Sequence, residues 1–272
     1  MPSVSAYMVV LGFIQLVFAA TYFLFPRPAN PDFLHVLAAF GAGLLNAFAL
    51  VILLNCLQKG EVSRVIPVTS SSPIFVALLS MPILGEMLNF WQWLAVFLTV
   101  AGAVLVSLQL GSGGQKAKLQ KSFLLLFLAA LLFASSNICF KYALETFSSW
   151  NTFAINGVCV GVVALAFSVR KSTFLELKNL AQRTKKFLMI TGVQLIAAAG
   201  ITLSFVAIAS GPVALVSTIM NIRPVFVFIF SLIISRLYPG FINEHLNRST
   251  VIVKLVGIVM ITAGVAIISL SS

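Results

Sequence analysis

Acidic residues are the scarcest chemistry in this sequence: six Asp and Glu among 272 residues, against 17 Lys and Arg. Charged residues of both signs make up 8% of the chain, where a globular domain carries about a quarter. A chain so poor in charge cannot coat a soluble domain. So few carboxylates also leave little for acid–base catalysis. The two histidines, His35 and His245, form no His-Glu-x-x-His or Ser/His pairing, and there is no pair of intramembrane aspartates, so a membrane-embedded enzyme is not expected. Three cysteines (Cys56, Cys139, Cys159) lie within or at the ends of apolar runs, without zinc or redox spacing. No metal and no cofactor is expected.

What the chain has is apolar length. Hydrophobic residues make up 60% of it, and mean hydropathy is +1.10. A bilayer-crossing helix needs about 20 mostly apolar residues. Runs of that order occur at 6–25, 33–57, 62–84, 89–109, 121–144, 150–169, 187–208, 212–236 and 250–270. The breaks fall at Pro26-Arg27-Pro28, Lys59-Gly60-Glu61, Gly85-Glu86, Gly111–Gly114, Arg170–Lys186, Ser210-Gly211-Pro212 and Tyr238–Thr250. The expected fold is an all-α integral membrane bundle of nine transmembrane helices. Met1–Ser5 carries no Lys or Arg, so the first run reads as a helix rather than a signal peptide.

The net charge of +11 is an orientation signal and not a nucleic-acid one, because the basic residues gather in loops. One side receives Lys59, Lys116, Lys118, Lys121, Arg170, Lys171, Lys178, Arg183, Lys185, Lys186, Arg236 and Arg248; the other receives Arg27 and Lys141. Positive loops stay inside. The N-terminus is therefore expected in the cytoplasm and the C-terminus outside, in the cell membrane.

The chain also answers itself. Gly60-Glu61-Val62-Ser63 followed by Pro73-Ile74-Phe75-Val76 returns as Gly211-Pro212-Val213-Ala214 followed by Pro224-Val225-Phe226-Val227, at an offset of 151. Glu86-Met87-Leu88-Asn89 is answered by Glu244-His245-Leu246-Asn247, and Ala101-Gly102-Ala103-Val104 by Ala263-Gly264-Val265-Ala266. Helices one to four are thus matched to helices six to nine. An offset of five helices inverts the second copy, a signature of secondary transporters.

These two series, Gly60–Pro73–Glu86–Gly102 and Gly211–Pro224–Glu244–Gly264, resemble the EamA-like group of the drug/metabolite transporter superfamily. Ser136-Asn137 with Lys141-Tyr142-Ala143-Leu144 looks like the end of a family repeat's first helix. The resemblance implies repeats at 1–110 (four helices) and 121–272 (five helices), where the family usually has five plus five. No counterpart of the helix at 121–144 stands before the first run. The basic Arg170–Lys186 loop also falls on the side many relatives keep outside.

Polar groups inside a membrane either bind helices together or mark the pathway. Arg223 stands mid-run, where an arginine costs roughly 2.5–3.5 kcal/mol to insert. Asp32, Glu61, Glu86, Glu145 and Glu244 all sit at ends or in loops, so no carboxylate answers it at mid-membrane. Two readings stand: an anionic substrate supplies the partner, or Arg223 bonds carbonyls beside its own proline. Pro73 and Pro224 are expected as kinks that free the Thr69 and Met220 carbonyls. Ser70, Ser71, Ser72 and Asn221 would line the gap. A regular helix sets Asn221 and Arg223 about 200° apart, so an unbroken one cannot point both at one cavity. Asn46, Asn137 and Gln194 are further candidates, with interhelical hydrogen bonding as the competing role. Gly102, Gly257 and Gly264 read as close-packing surfaces.

The function that follows is a secondary carrier for a small anionic or zwitterionic metabolite, working as a monomer or homodimer in the lipid bilayer by alternating access between inverted repeats. Exporters of lipophilic cations usually need a buried carboxylate, and none is present. The alternative is a non-transporting accessory or lipid-translocating subunit of the same superfamily.

Overall fold

A backbone in hydrocarbon must satisfy its own N–H and C=O groups, and long Leu-, Ala- and Phe-rich segments do so as helices. The computed structural model describes residues 4–20, 31–58, 68–107, 121–178, 183–226, 229–230, 233 and 248–271. Among them there is no strand. The helices are α1 Val4–Ala19, α2 Phe33–Gln58, α3 Ser72–Leu84, α4 Phe90–Ser107 and α5 Lys121–Ala143. They continue with α6 Ser149–Ser168, α7 Lys171–Lys178, α8 Arg183–Ser210, α9 Val213–Met220 and α10 Arg248–Ser271. Five apolar stretches are long enough to cross a membrane: Phe33–Leu57, Leu124–Ala143, Ser149–Ser168, Phe187–Ser210 and Ile252–Leu270. Val4–Ala19, Ser72–Leu84, Phe90–Val106 and Val213–Phe226 are shorter apolar helices. The protein is an all-α membrane protein, as its hydropathy predicts. Gly60, Glu61, Arg236 and Glu244 lie outside the described residues, as does most of the Tyr238–Thr250 connection.

Two expectations about the runs change. The Arg170–Lys186 stretch, read as a loop, contains the short helix α7. The runs at 62–84 and 212–236 are each interrupted near their proline, as described below.

The chain forms two compact units. The first comprises Met1–Gln58 and Ser135–Gly211, and the second Lys59–Ala134 and Pro212–Ser272. Each unit takes helices from both halves of the sequence. In the first unit, α6 is the innermost helix: Asn151, Thr152 and Asn156 are at most 1% exposed. Ser148 caps it by accepting from the Asn151 N–H at 3.2 Å. Met8, Leu11, Ala47, Val51, Val160 and Val163 form its core with α1 and α2. The α1–α6 contact is backbone-close. A Cβ on Gly12 would stand 2.9 Å from Leu165 Cγ, and one on Gly161 would stand 2.7 Å from Leu16 Cγ. The outward faces stay apolar: α2 exposes Phe33, Leu37, Phe40, Leu44 and Phe48 at helical spacing, and α8 exposes Phe187, Leu188, Met189 and Ile196. Water would not tolerate such faces over whole helices, whereas lipid does.

The second unit is built on α4 against α10. A Cβ on Gly102 would lie 2.6 Å from the Gly257 carbonyl oxygen, and one on Gly257 would lie 2.7 Å from that of Gly102. One on Gly264 would meet Thr99 Oγ1. These are the three glycines that the sequence marks for close packing. Ala103, Val106, Ile261 and Val225 pack beside them. The α1–α6 and α4–α10 contacts are the most extensive of their units. Each joins a helix of the first half of the sequence to one of the second half.

Candidate functional site

Proline has no N–H to give and pushes the residue before it out of helical geometry. Around Pro73 the chain responds by breaking rather than bending. The Ser71 N–H bonds the Val68 carbonyl at 3.1 Å, and the Ile74 N–H bonds the Ser71 carbonyl at 3.0 Å. Both are three-residue closures. Pro73 thus sits in the first turn of a new helix, α3, where its missing N–H does no harm.

Around Pro224 the same bonds recur 151 positions later. The Ile222 N–H bonds the Ile219 carbonyl at 3.1 Å, and the Val225 N–H bonds the Ile222 carbonyl at 2.9 Å. Helix α9 stops at Asn221, and helical structure resumes at Arg223.

Each diversion strands one carbonyl. The Ile74 N–H would ordinarily serve the Ser70 carbonyl but is taken by Ser71; Val225, likewise, abandons the Asn221 carbonyl. The Asn221 side chain repairs the first loss by donating its Nδ2–H to the Ser70 oxygen at 2.8 Å. Ser70 and Asn221 are themselves 151 apart, so the two breaks meet at matching residues. No described donor reaches the Asn221 carbonyl, and no described partner engages the Ser70 hydroxyl, although Ser70 is only 6% exposed. The Ser71 hydroxyl turns back to the Val68 carbonyl at 2.6 Å. That of Ser72 reaches toward the Ala130 carbonyl at 3.5 Å.

Arg223 opens the resumed helix and is exposed within its unit. The ion pairs among the described residues are those of His35, so no described carboxylate neutralises Arg223. Because the break lies between Asn221 and Arg223, the 200° separation of a regular helix no longer applies to them.

A carboxylate fixes the other end of α9. The backbone turns at Gly85, whose φ of 69° suits glycine, and the Gly85 N–H caps the Met81 carbonyl at 3.1 Å. That turn delivers Glu86, whose Oε1 accepts from the Val213 N–H at 2.7 Å and whose Oε2 accepts from that of Ala214 at 3.3 Å. Pro212 offers no side-chain cap, so Glu86 supplies a charged one from α3. Helices α3 and α9 are therefore tied twice, at Ser70–Asn221 and at Glu86–Val213.

The remaining candidates lie in the first unit. Asn46 donates to Asn156 Oδ1 at 2.8 Å, and Gln194, 4% exposed, donates to the Tyr7 hydroxyl at 2.9 Å. The Ser136 hydroxyl donates to the Ala42 carbonyl at 2.9 Å, while its neighbour Asn137 has no described partner and is half-buried. Thr202 and Ser204 only bond their own helix four residues back. Lys141 stands at a helix end and donates to the carbonyls of Ile208, Ala209 and Gly211 at 2.8, 3.3 and 2.8 Å, capping α8. Lys254, which the sequence reading passes over, is 6% exposed in α10. Among the described residues no cluster of His, Cys, Asp and Glu is able to hold a metal ion.

The comparison with known families places the whole chain. The profile of the EamA-like transporter family matches residues 1–108 and 120–270. The chain belongs to the EamA-like transporter family. This EamA-like protein is thus a multi-pass membrane protein of a family of transporters. No curated protein matches its sequence. Among solved structures, one described only as the crystal structure of a protein superposes with a TM-score of 0.68 at 14% identity. The match covers 98% of the EamA-like chain and 85% of that structure, and at this identity it speaks for the fold alone.

Proposed function

We propose that this protein is a secondary carrier that moves a small anionic or zwitterionic metabolite by alternating access. The observation that carries this reading is the pair of helix breaks. They share one hydrogen-bond pattern at an offset of 151 and present Arg223, the Asn221 carbonyl and the Ser70 hydroxyl, none of which has a partner among the described residues. Discontinuous helices of this kind line substrate sites in secondary transporters. A cation would meet Arg223 with no described carboxylate to offset it, whereas an anion would complement its charge. In this reading the two sequence repeats are 1–110 and 121–272. Support for it comes from the contacts between matched helices, α1 with α6, α3 with α9 and α4 with α10. Asn46, Asn137 and Gln194, all in the first unit, are separate candidate polar contacts there.

Purified protein is to be screened for thermal stabilisation by small carboxylates, phosphates, amino acids and amines, with Arg223→Ala in parallel. Anions should raise the wild-type Tm, while Arg223→Ala should need at least about tenfold more ligand, the worth of one charge-assisted contact. Equal stabilisation of the two proteins removes Arg223 from the site. Stabilisation by amines alone overturns the substrate class.

The proposed orientation keeps the N-terminus in the cytoplasm and the C-terminus outside the cell membrane. A cysteine appended after Ser272, in a chain with Cys56, Cys139 and Cys159 replaced by alanine, should react with an impermeant maleimide in intact cells. Labelling only after lysis reverses the orientation.

A further inference from the structure

His35 carries a second, separate chemistry. It lies in the first turn of α2, and its ring is enclosed: the side chain is 16% exposed. Nδ1 faces Asp32 Oδ2 at 3.7 Å, and Nε2 faces Glu145 Oε2 at 3.5 Å. One face of the ring stacks on Tyr142, with centroids 4.5 Å apart and planes 5° from parallel. Asp32 and Glu145 are themselves 63% and 59% exposed. Beneath the cluster, Ala39, Ala143, Phe147 and Ile155 bring α2, α5 and α6 together and add no ionisable group. The nearest basic residue in sequence, Lys141, is occupied by the carbonyls at the end of α8.

We propose that His35 is a proton-binding site that latches the start of α2 to the α5–α6 connection. A neutral imidazole has one N–H and one lone pair. Facing two carboxylates, it satisfies one and repels the other. At the observed distances neither contact is a hydrogen bond, and Nδ1 is buried without one. The imidazolium has two N–H donors and a positive charge, so each carboxylate gains a partner and the Tyr142 ring gains a cation over its face. The positive end of α2 opposes that charge with about half an elementary unit. Two carboxylates outweigh it.

The sign follows. The latch is closed when the imidazole carries its second proton and loosens when that proton leaves. Asp32, Glu145 and Tyr142 are the titratable groups that face His35 among the described residues. A proton-linked step is thereby available to a chain in which no mid-membrane carboxylate is described, on a residue outside the proposed substrate site.

The test is a thermodynamic cycle on full-length protein in detergent. Tm is measured at about pH 5.5 and about pH 8, on either side of the imidazole range. The proteins compared are wild type, Glu145→Gln, His35→Gln and the double variant. Glu145→Gln should lower Tm by about 2–4 °C in acid and by less than about 1 °C in alkali, as expected for a half-exposed ion pair in a chain of this size. In the His35→Gln background that pH difference should vanish. His245→Gln, the change at the only other histidine, should leave it intact. A Glu145→Gln penalty that is equal at both pH values overturns the latch, as does a pH difference that survives in His35→Gln. Should His35→Gln not fold, Asp32→Asn is the second probe: it must show the same acid-only penalty, and its absence is equally decisive.

Discussion

Gly264→Leu and Gly102→Leu are each expected to dismantle the second unit, with losses on the order of 10 °C in Tm. Overpacking normally costs about 1–3 kcal/mol because side chains yield. Here the obstruction is backbone. A Cβ on Gly102 would stand 2.6 Å from the Gly257 carbonyl oxygen and 3.0 Å from the Ile261 nitrogen. For Gly264 the neighbours are Thr99 Oγ1 and, at 2.9 Å, the Ala95 carbonyl oxygen. A carbonyl held within its own helix cannot rotate away, so α4 and α10 must separate. Their separation uncovers Ala103, Val106, Ile261 and Val225, and Val225 belongs to the helix that resumes after Asn221. Damage should therefore reach the candidate site from a distance. Gly200→Leu is the control, since a Cβ there meets nothing within 4 Å. Detergent extraction followed by size-exclusion and thermal unfolding provides the readout. A Gly264→Leu protein that elutes and melts like Gly200→Leu would show that the α4–α10 contact is dispensable.

The fold was legible where one solvent property governs it. Hydrocarbon admits long apolar helices and little else, so composition alone announces them. Glycines 102, 257 and 264 could be read as packing surfaces because small residues are what close membrane helices require. In the other unit Gly161 follows Gly157 by four residues and both face α1. Large side chains separate Gly12 from any other glycine, so the pairing itself had no sequence signature. The interleaving of the two units was out of reach. Hydropathy reports which segments enter the membrane and says nothing of which neighbours they choose.

The site was half legible, for a local reason. Pro73 and Pro224 mark where the helices are interrupted, but a kink and a break differ by how the N–H groups around the proline are reassigned. The Ile74 and Val225 bonds decide that. Asn221 was readable as a polar lining residue; its partner, the Ser70 carbonyl, is a backbone group with no sequence signature. Asn156, the partner of Asn46, lies 110 residues away in sequence, a separation that only tertiary structure closes. Glu86 and Lys141 looked like ordinary helix-end charges, yet each caps a helix other than its own, which only tertiary structure determines.

Asn221 is where stability and the proposed transport meet, and its variants separate the two. Asn221→Leu removes the donor on the Ser70 carbonyl and leaves that oxygen stranded where water is scarce. The expected penalty is about 1–3 kcal/mol, or on the order of 5 °C in Tm. Asn221→Asp removes the same donor, because an ionised carboxylate only accepts, so its Tm should fall by a similar amount. The two then diverge. Aspartate lies two residues from Arg223, across the break, and offers it the counter-charge that the described structure withholds. An anionic ligand must displace that internal carboxylate, so ligand-dependent stabilisation should fall by about a hundredfold in affinity, near 2.7 kcal/mol. Leucine adds no counter-charge to Arg223, and anions should still stabilise that variant. Thermal shifts across an anion titration read both quantities in one experiment. If Asn221→Leu matches the wild-type Tm, the bond between the two breaks holds nothing together. If Asn221→Asp keeps its anion response, Arg223 is not where the anion sits.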